Sequence, residues 1–250
     1  MNKYIFFILL FVSLLGVQCN LAVSKIEGQE ILVDEQYPIA LGIDSFIQGY
    51  RAAIEEEMNE VLCYNPSDLS KKDGDLNTAI GNMMADLVLL QANPLFYDLR
   101  EEKIDIVLLN YGGIRSSIPK GEVTMGSAFK LMPFENEIVV LKLMGEDLLD
   151  MMDYLEEAET AHPISGMTLR LSKEGQIVDP LVGGHLLEED KAYYLATNDY
   201  LYHGGDNMVF LDSAEEVYKL NYKIRDAIID YFTAVDTLNA VIDERFIREK

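Results

Sequence analysis

The chain has 250 residues, 49% of them hydrophobic, and its 43 acidic side chains against 20 basic ones give a formal net charge of −23. That excess excludes a nucleic-acid or anionic-membrane surface, because such binding depends on clustered Lys and Arg that neutralise phosphates. A small phosphorylated ligand stays open, since one arginine and a few backbone N–H groups meet its charge.

Residues 1–19 divide into a short polar start with Lys3, an apolar run from Tyr4 to Val17, and Cys19, the layout of a secretory signal. The run falls short of the roughly 20 apolar residues of a spanning helix. Cys19 resembles the lipidation site of bacterial lipoproteins, although Gly16 and Gln18 stand where such signals usually carry Leu and a small residue. This implies an exported chain of the bacterial cell envelope that touches the membrane only through an N-terminal lipid, with a periplasmic or secreted protein as the other destination. Residues 20–42 mix Gly, Ser and charged residues without a sustained period and read as a tether. One domain is expected over 43–250. With Cys19 set aside only Cys63 is left, so the reading has no intrachain disulfide and takes Cys63 as a small core residue.

From Asp44 or Ser45 as N-cap, the residues Ile43, Phe46, Ile47, Tyr50, Ile54, Met58, Val61 and Leu62 fall on one helical face. Residues 64–75, with Asn65-Pro66 and Asp73-Gly74, predict a loop, and residues 80–91 a second helix. Ile104–Leu109 is an uninterrupted apolar run, as expected of a strand buried on both faces, and it ends at a loop beginning with Asn110. Thr124 caps a short helix to Met132, residues 137–144 form a strand, and residues 146–159 form an acidic amphipathic helix. The period-2 stretch Met167–Leu171, the Glu174-Gly175 turn and a strand near Ile177 predict a hairpin, and residues 192–198 the next strand. Ser213 with Glu216 reads as a capping box opening a helix through Phe232, with Val217, Leu220, Ile224, Ala227, Ile228 and Tyr231 on its apolar face. Interleaved helices and strands make the class α+β (α/β), with mixed sheets flanked by helices.

Three glycine-rich or polar loops carry the candidate site: Asn110-Tyr-Gly-Gly-Ile-Arg115, Pro133-Phe-Glu-Asn136, and the stretch from Tyr200 to Gly204-Gly205-Asp206. They supply aromatic faces, a cation and a hydroxyl acceptor, the groups a nucleotide needs. With Gly81-Asn82, Ala85-Asp86, Ser165-Gly166 and Asp243-Glu-Arg-Phe-Ile247, they occur in the order found in the C-terminal domain of 5′-nucleotidases, which this chain resembles from about Asp44 to Ile247. The resemblance implies that domain's layered fold and a nucleotide or nucleoside ligand. It implies the base stacked between Phe134 and Tyr200, ribose hydroxyls on Asp206, close backbone approach at Gly204 and Gly205, and substrate contact at Gly112 and Gly113. Asn110 would stand at the base or ribose edge, Arg115 would meet a phosphate, and Asn136 would be a further substrate-binding position. The chain departs from the family where a glutamate and, in several members, a phosphate-holding arginine precede Gly-Asn: here Asn77 and Ala79 stand there.

Nucleotidases of this family hydrolyse the ester at a two-metal site in a separate N-terminal domain. This sequence offers only His162, His185 and His203, with no Asp-x-His, Asn-His-Glu or Asn-His-Asp, and no paired i, i+4 spacing. The expectation is a specificity module with no cofactor of its own, presenting substrate to a separately encoded metallophosphoesterase that carries two divalent metals. Two other readings stay open: a nucleoside-scavenging lipoprotein, and a surface interaction protein with a decayed pocket, for which Ala79 is the only support.

Overall fold

The computed structural model describes residues 28–32, 34 and 41–249, so the expected signal segment and Cys19 lie outside the described residues. Two units are separable, residues 1–47 and 48–250, with helix α1 (Leu41–Met58) spanning the boundary in sequence. The second unit carries everything that follows.

The apolar run at Ile104 is the key to its architecture. Strand β2 (Ile106–Leu108) lies inside a five-stranded sheet, between β9 (Ala192–Asn198), which it pairs in parallel, and β5 (Ile164–Ser165), which it pairs antiparallel. On the other side of β9 come β4 (Glu137–Met144) and the edge strand β10 (Glu216–Lys223), both antiparallel to their neighbours. Successive side chains of a strand point to opposite faces, so a strand buried on both sides must be apolar throughout. Val107 and Leu109 enter one core, with Ile138 and Val140 of β4. Ile106 and Leu108 enter the other, with Val139, Leu141 and Leu143.

The first core is closed by α2 (Ala79–Arg100) and α6 (Ile224–Ala234), which contribute Ile80, Met84, Leu87, Phe96, Ile228 and Phe232. The second is closed by α4 (Gly145–Ala158) and by a four-stranded sheet of order β11-β6-β7-β8, with β6 at Met167–Leu171, β7 at Ile177–Val182, β8 at His185–Leu186 and β11 at Phe246–Arg248. Gly166 lets the chain pass from one sheet to the other: its φ is +79°, and a Cβ there would stand 1.9 Å from the Asp105 carbonyl oxygen. A two-stranded sheet of β1 (Val61–Asn65) and β3 (Gly121–Thr124) completes the unit, and α3 (Met125–Leu131) follows with Thr124 and Ser127 capping it reciprocally.

Three expectations change, and one strand, β3, was not expected. Val61 and Leu62 do not continue α1 but open β1, which also takes Tyr64 and Asn65 out of the expected loop. Helix α2 runs past Gln91 and through Pro94 to Arg100, because Phe96 is fully buried and holds the last turns on the sheet. The short strand β3 carried no clear alternation. Ser213–Glu216 is no capping box: the Ser213 hydroxyl donates to the Phe210 carbonyl at 2.7 Å, residues 216–223 are a strand, and the helix starts at Ile224. Val217 and its neighbours pair with β4, and tertiary pairing overrides a helical spacing that alternating half-buried residues happen to mimic.

The closing segment is fastened by polar groups. Buried Asn77 donates through its amide to the carbonyls of Asp243 (3.1 Å) and Phe246 (2.8 Å) and accepts from Asn82 (2.9 Å). Arg245 reaches Asp86 at 2.8 Å and Asp243 at 2.7 Å, while Asp86 also accepts from the Ser165 hydroxyl at 2.6 Å. Cys63 is a buried core residue, and burial pushes its thiol up to about 11.

Candidate functional site

Strand β2 delivers its next residues to the end of the sheet beyond its own C-terminus, where active-site loops of α/β folds commonly lie. Asn110 is buried there and precedes a 3-10 turn, Tyr111–Gly113, whose first N–H donates to Nδ1 of His162 at 3.3 Å. The Asn110 amide donates to Oδ2 of Asp206 at 2.6 Å. Burial pushes the His162 imidazole below its usual range, opposed in part by a hydrogen bond to the Leu109 backbone and by the charge of Asp206. A neutral ring accepts the Tyr111 proton; an imidazolium would not.

Asp206 arrives from β9. Asn198 ends that strand and caps the one-turn helix α5 (Asp199–Tyr202), accepting the Leu201 N–H at 2.8 Å. Gly204, at φ +83°, then turns the chain, and Asp206 itself takes φ +52°. A non-glycine residue in the left-handed region costs on the order of 1 kcal/mol. Three contacts fix it there: Asn110 on Oδ2, the Tyr200 hydroxyl donating to Oδ1 at 2.9 Å, and the Tyr154 hydroxyl donating to the Asp206 carbonyl at 3.0 Å. The Tyr200 ring lies on the backbone of Gly205, where a Cβ would come within 2.5 Å of a ring carbon, so a side chain at 205 would push the ring aside. Its hydrogen bond to the Asp206 carboxylate raises the Tyr200 phenol above its usual range.

The Pro133–Asn136 loop joins α3 to β4 and is held from behind. Buried Arg225, near the start of α6, donates to the Phe134 carbonyl at 3.4 Å and pairs with Glu135, which Lys223 also contacts. Those two cations, Lys223 first, push the exposed Glu135 carboxyl down to about 2. The Asn136 carbonyl accepts from Ile224 at 3.0 Å, and Asp199 accepts the Glu137 N–H at 3.1 Å. Phe134 is thereby presented outward and is 40% exposed; Tyr200 is 48% exposed. Neither ring is a core residue.

These loops enclose a cavity of about 330 Å³ lined by Asn110, Gly112, Gly113, Arg115, Met132, Phe134, Asn136, Tyr200 and Asp206. The Arg115 guanidinium stands 5.8 Å from the Phe134 ring centroid and donates to the Gly112 carbonyl at 3.4 Å. A wider groove of about 730 Å³ shares Asn136, Tyr200 and Asp206 and adds Glu135, Asp199, His203, Gly204 and Gly205. Every residue singled out in the three loops as a ligand contact therefore borders one of two adjoining hollows.

Met132, Tyr154 and His162 were not anticipated at the site. Met132 carried a weak signal, its position beside Pro133; Tyr154 sits on an ordinary amphipathic helix, and nothing local marks its hydroxyl as the prop beneath Asp206. Asn77 and Ala79 border neither hollow, and Asn77 is occupied in fastening the closing segment. Among the described residues, no group of three or more His, Cys, Asp or Glu is placed to hold a metal ion.

Aromatic, carboxylate and arginine groups thus converge on loops at one end of the central sheet of this layered α/β domain. Residues 59–213 match the family described as 5′-nucleotidase, C-terminal domain, and the chain belongs to that family. It is 28% identical over 184 residues to endonuclease YhcR of Bacillus subtilis, covering 70% of this chain and 14% of that protein. It is 23% identical over 227 residues to an apyrase of Tabanus yao, covering 82% of this chain and 41% of the apyrase. The 5′-nucleotidase precursor from Thermus thermophilus shares the fold, with a TM-score of 0.70 at 22% identity over 83% of this chain and 43% of that one. The chain thus spans less than half the length of each of these relatives.

Proposed function

We propose that this domain is the nucleotide- or nucleoside-binding specificity module of a split 5′-nucleotidase, presenting its ligand to a metallophosphoesterase on another polypeptide that supplies two divalent metals. One observation carries the reading: exposed Phe134 and Tyr200, Asp206, Asn110 and Arg115, from separate loops, line a single cavity. Every base offers a π-face, so two exposed rings suit a base sandwiched between them. A carboxylate has about four lone-pair sites, and with Tyr200 and Asn110 using one each Asp206 keeps capacity for two ribose hydroxyls. Arg115 offers a planar fork to phosphate oxygens. The same reading makes the chain an exported protein of the bacterial cell envelope, anchored by lipid at Cys19.

Calorimetric titration of the chain from Asn20 onward with adenosine, AMP and UMP tests the pocket. Binding is expected, and Tyr200→Ala is expected to weaken it by about 1–3 kcal/mol, the contribution of one base stack. No binding at millimolar ligand would overturn the reading. The division of labour fails separately if the purified chain alone releases phosphate from AMP in a reaction that Asp206→Ala abolishes.

A further inference from the structure

We infer that Arg225 is a positioning residue for base binding: it clamps the Pro133–Asn136 loop so that the Phe134 ring stands ready as one wall of the stack. The inference rests on the base-stacking reading of the cavity. Pro133, Phe134 and Glu135 are exposed in succession, so none of these three side chains anchors the loop in a core. Polar contacts fix it instead. The Arg225 side chain is buried, and among the described residues both of its hydrogen bonds go to this loop: Nη1 to the Phe134 carbonyl at 3.4 Å and Nη2 to the Glu135 carboxylate. The guanidinium also lies 4.4 Å from the centroid of the Phe129 ring, on the helix α3 that leads into the loop.

Two features separate this clamp from an ordinary structural ion pair. A buried arginine that served stability alone would have its donors complete. Here the Nε–H is buried without an acceptor among the described residues, while the donors that are used go to Phe134 and its neighbour. The second feature is how Arg225 is brought to the loop. Between Lys219 and Lys223 the edge strand β10 advances four residues while β4 advances two, from Val139 to Glu137, and Asn221 takes φ +52° within that bulge. Bulges gather at sheet edges and beside active sites, where they re-aim side chains. This one turns three successive residues onto the loop: Lys223 meets Glu135, the Ile224 N–H donates to the Asn136 carbonyl at 3.0 Å, and Arg225 takes the Phe134 carbonyl. A non-glycine residue at positive φ persists only where its surroundings hold it there. The strained strand and the incompletely bonded arginine therefore act on one target, the backbone at Phe134, and through it on the direction of the ring. A wall fixed before the ligand arrives removes the ordering cost that a loose wall adds to binding.

The experiment has two readouts on the full chain. Calorimetric titration with adenosine and uridine gives the affinity. The sequence contains no tryptophan, so Phe134→Trp makes the base wall the single indole, and its fluorescence anisotropy without ligand reports how firmly the loop holds its ring. Arg225→Met is expected to lower that anisotropy in the Phe134→Trp chain. In the chain that keeps Phe134 it is expected to weaken binding of the recognised nucleoside about five- to tenfold, the size of one lost hydrogen bond. Arg225→Lys keeps the charge but cannot serve both the Phe134 carbonyl and Glu135, and a loss of about two- to threefold is expected. It is the variant to read where circular dichroism shows that Arg225→Met does not fold. An unchanged anisotropy, with or without a loss of affinity, overturns the clamp while the base pocket stands. A lower anisotropy with unchanged affinity shows a purely structural contact and overturns the inference too. A wild type that binds neither nucleoside overturns the base reading itself, and the inference with it.

Discussion

Two clusters of asparagine, aspartate and arginine in this domain have nearly the same composition and opposite character. In the first, Asn77, Asn82, Asp86, Asp243 and Arg245 satisfy one another: the amides hold backbone carbonyls of the closing segment, and the arginine lies between two carboxylates. In the second, Asn110, Arg115, Tyr200 and Asp206 are tied together on one side and open on the other. The arginine lacks a carboxylate among the described residues, two aromatic rings face outward, and the aspartate is held at a positive φ. A polar group whose hydrogen bonds are complete within the protein stabilises the fold, whereas one left with spare capacity still has hydrogen bonds to offer. Residue type alone does not separate the two.

Substitutions sharpen the contrast. The largest effect is expected for Asn77→Ala, which strips the closing segment of its amide and leaves buried carbonyls without donors. The cost is about 3 kcal/mol of stability, or a fall in melting temperature of about 6–12 °C for a domain of this size. Nucleotide affinity of the folded fraction should not change; a loss of affinity at constant stability would move Asn77 from the first cluster to the second. Asp206→Ala is the mirror experiment. It is expected to weaken nucleotide binding by about 2 kcal/mol, as for lost hydrogen bonds to a charged group, with a smaller change in thermal stability read by circular dichroism.

The smallest effect concerns His162, which belongs to the site by position and to the core by burial. Its pKa is depressed in the folded chain, so the unfolded chain binds the extra proton first. The stability it contributes is therefore complete above the ordinary histidine range and declines as pH falls through that range toward the folded value. Melting temperatures between pH 7.5 and 5 should fall more steeply for the wild type than for His162→Gln. The difference cannot exceed one proton's slope, about 1.4 kcal/mol per pH unit. Parallel profiles would show that His162 does not supply this pH dependence.

Much of the domain could be read directly along the chain. The uninterrupted apolar run at Ile104 marks a strand with two buried faces, because a pleated strand has only two sides and both must be apolar when both are covered. The helices starting near Ala79, Met125 and Gly145 follow from spacing and capping, and the glycine-rich loops stand out because glycine admits close backbone contacts that other residues forbid. These are local properties, and local sequence contains them. The tertiary structure decided the rest. Val217 and its neighbours became an edge strand because β4 offered an unpaired side, and α2 continued through Pro94 because Phe96 had a core to enter. Asn77 became a fastener because a segment more than 160 residues away presents carbonyls to it. Met132, Tyr154 and His162 joined the site only through contacts made across the fold. Such contacts depend on which surfaces meet in space, and no window along the chain records that.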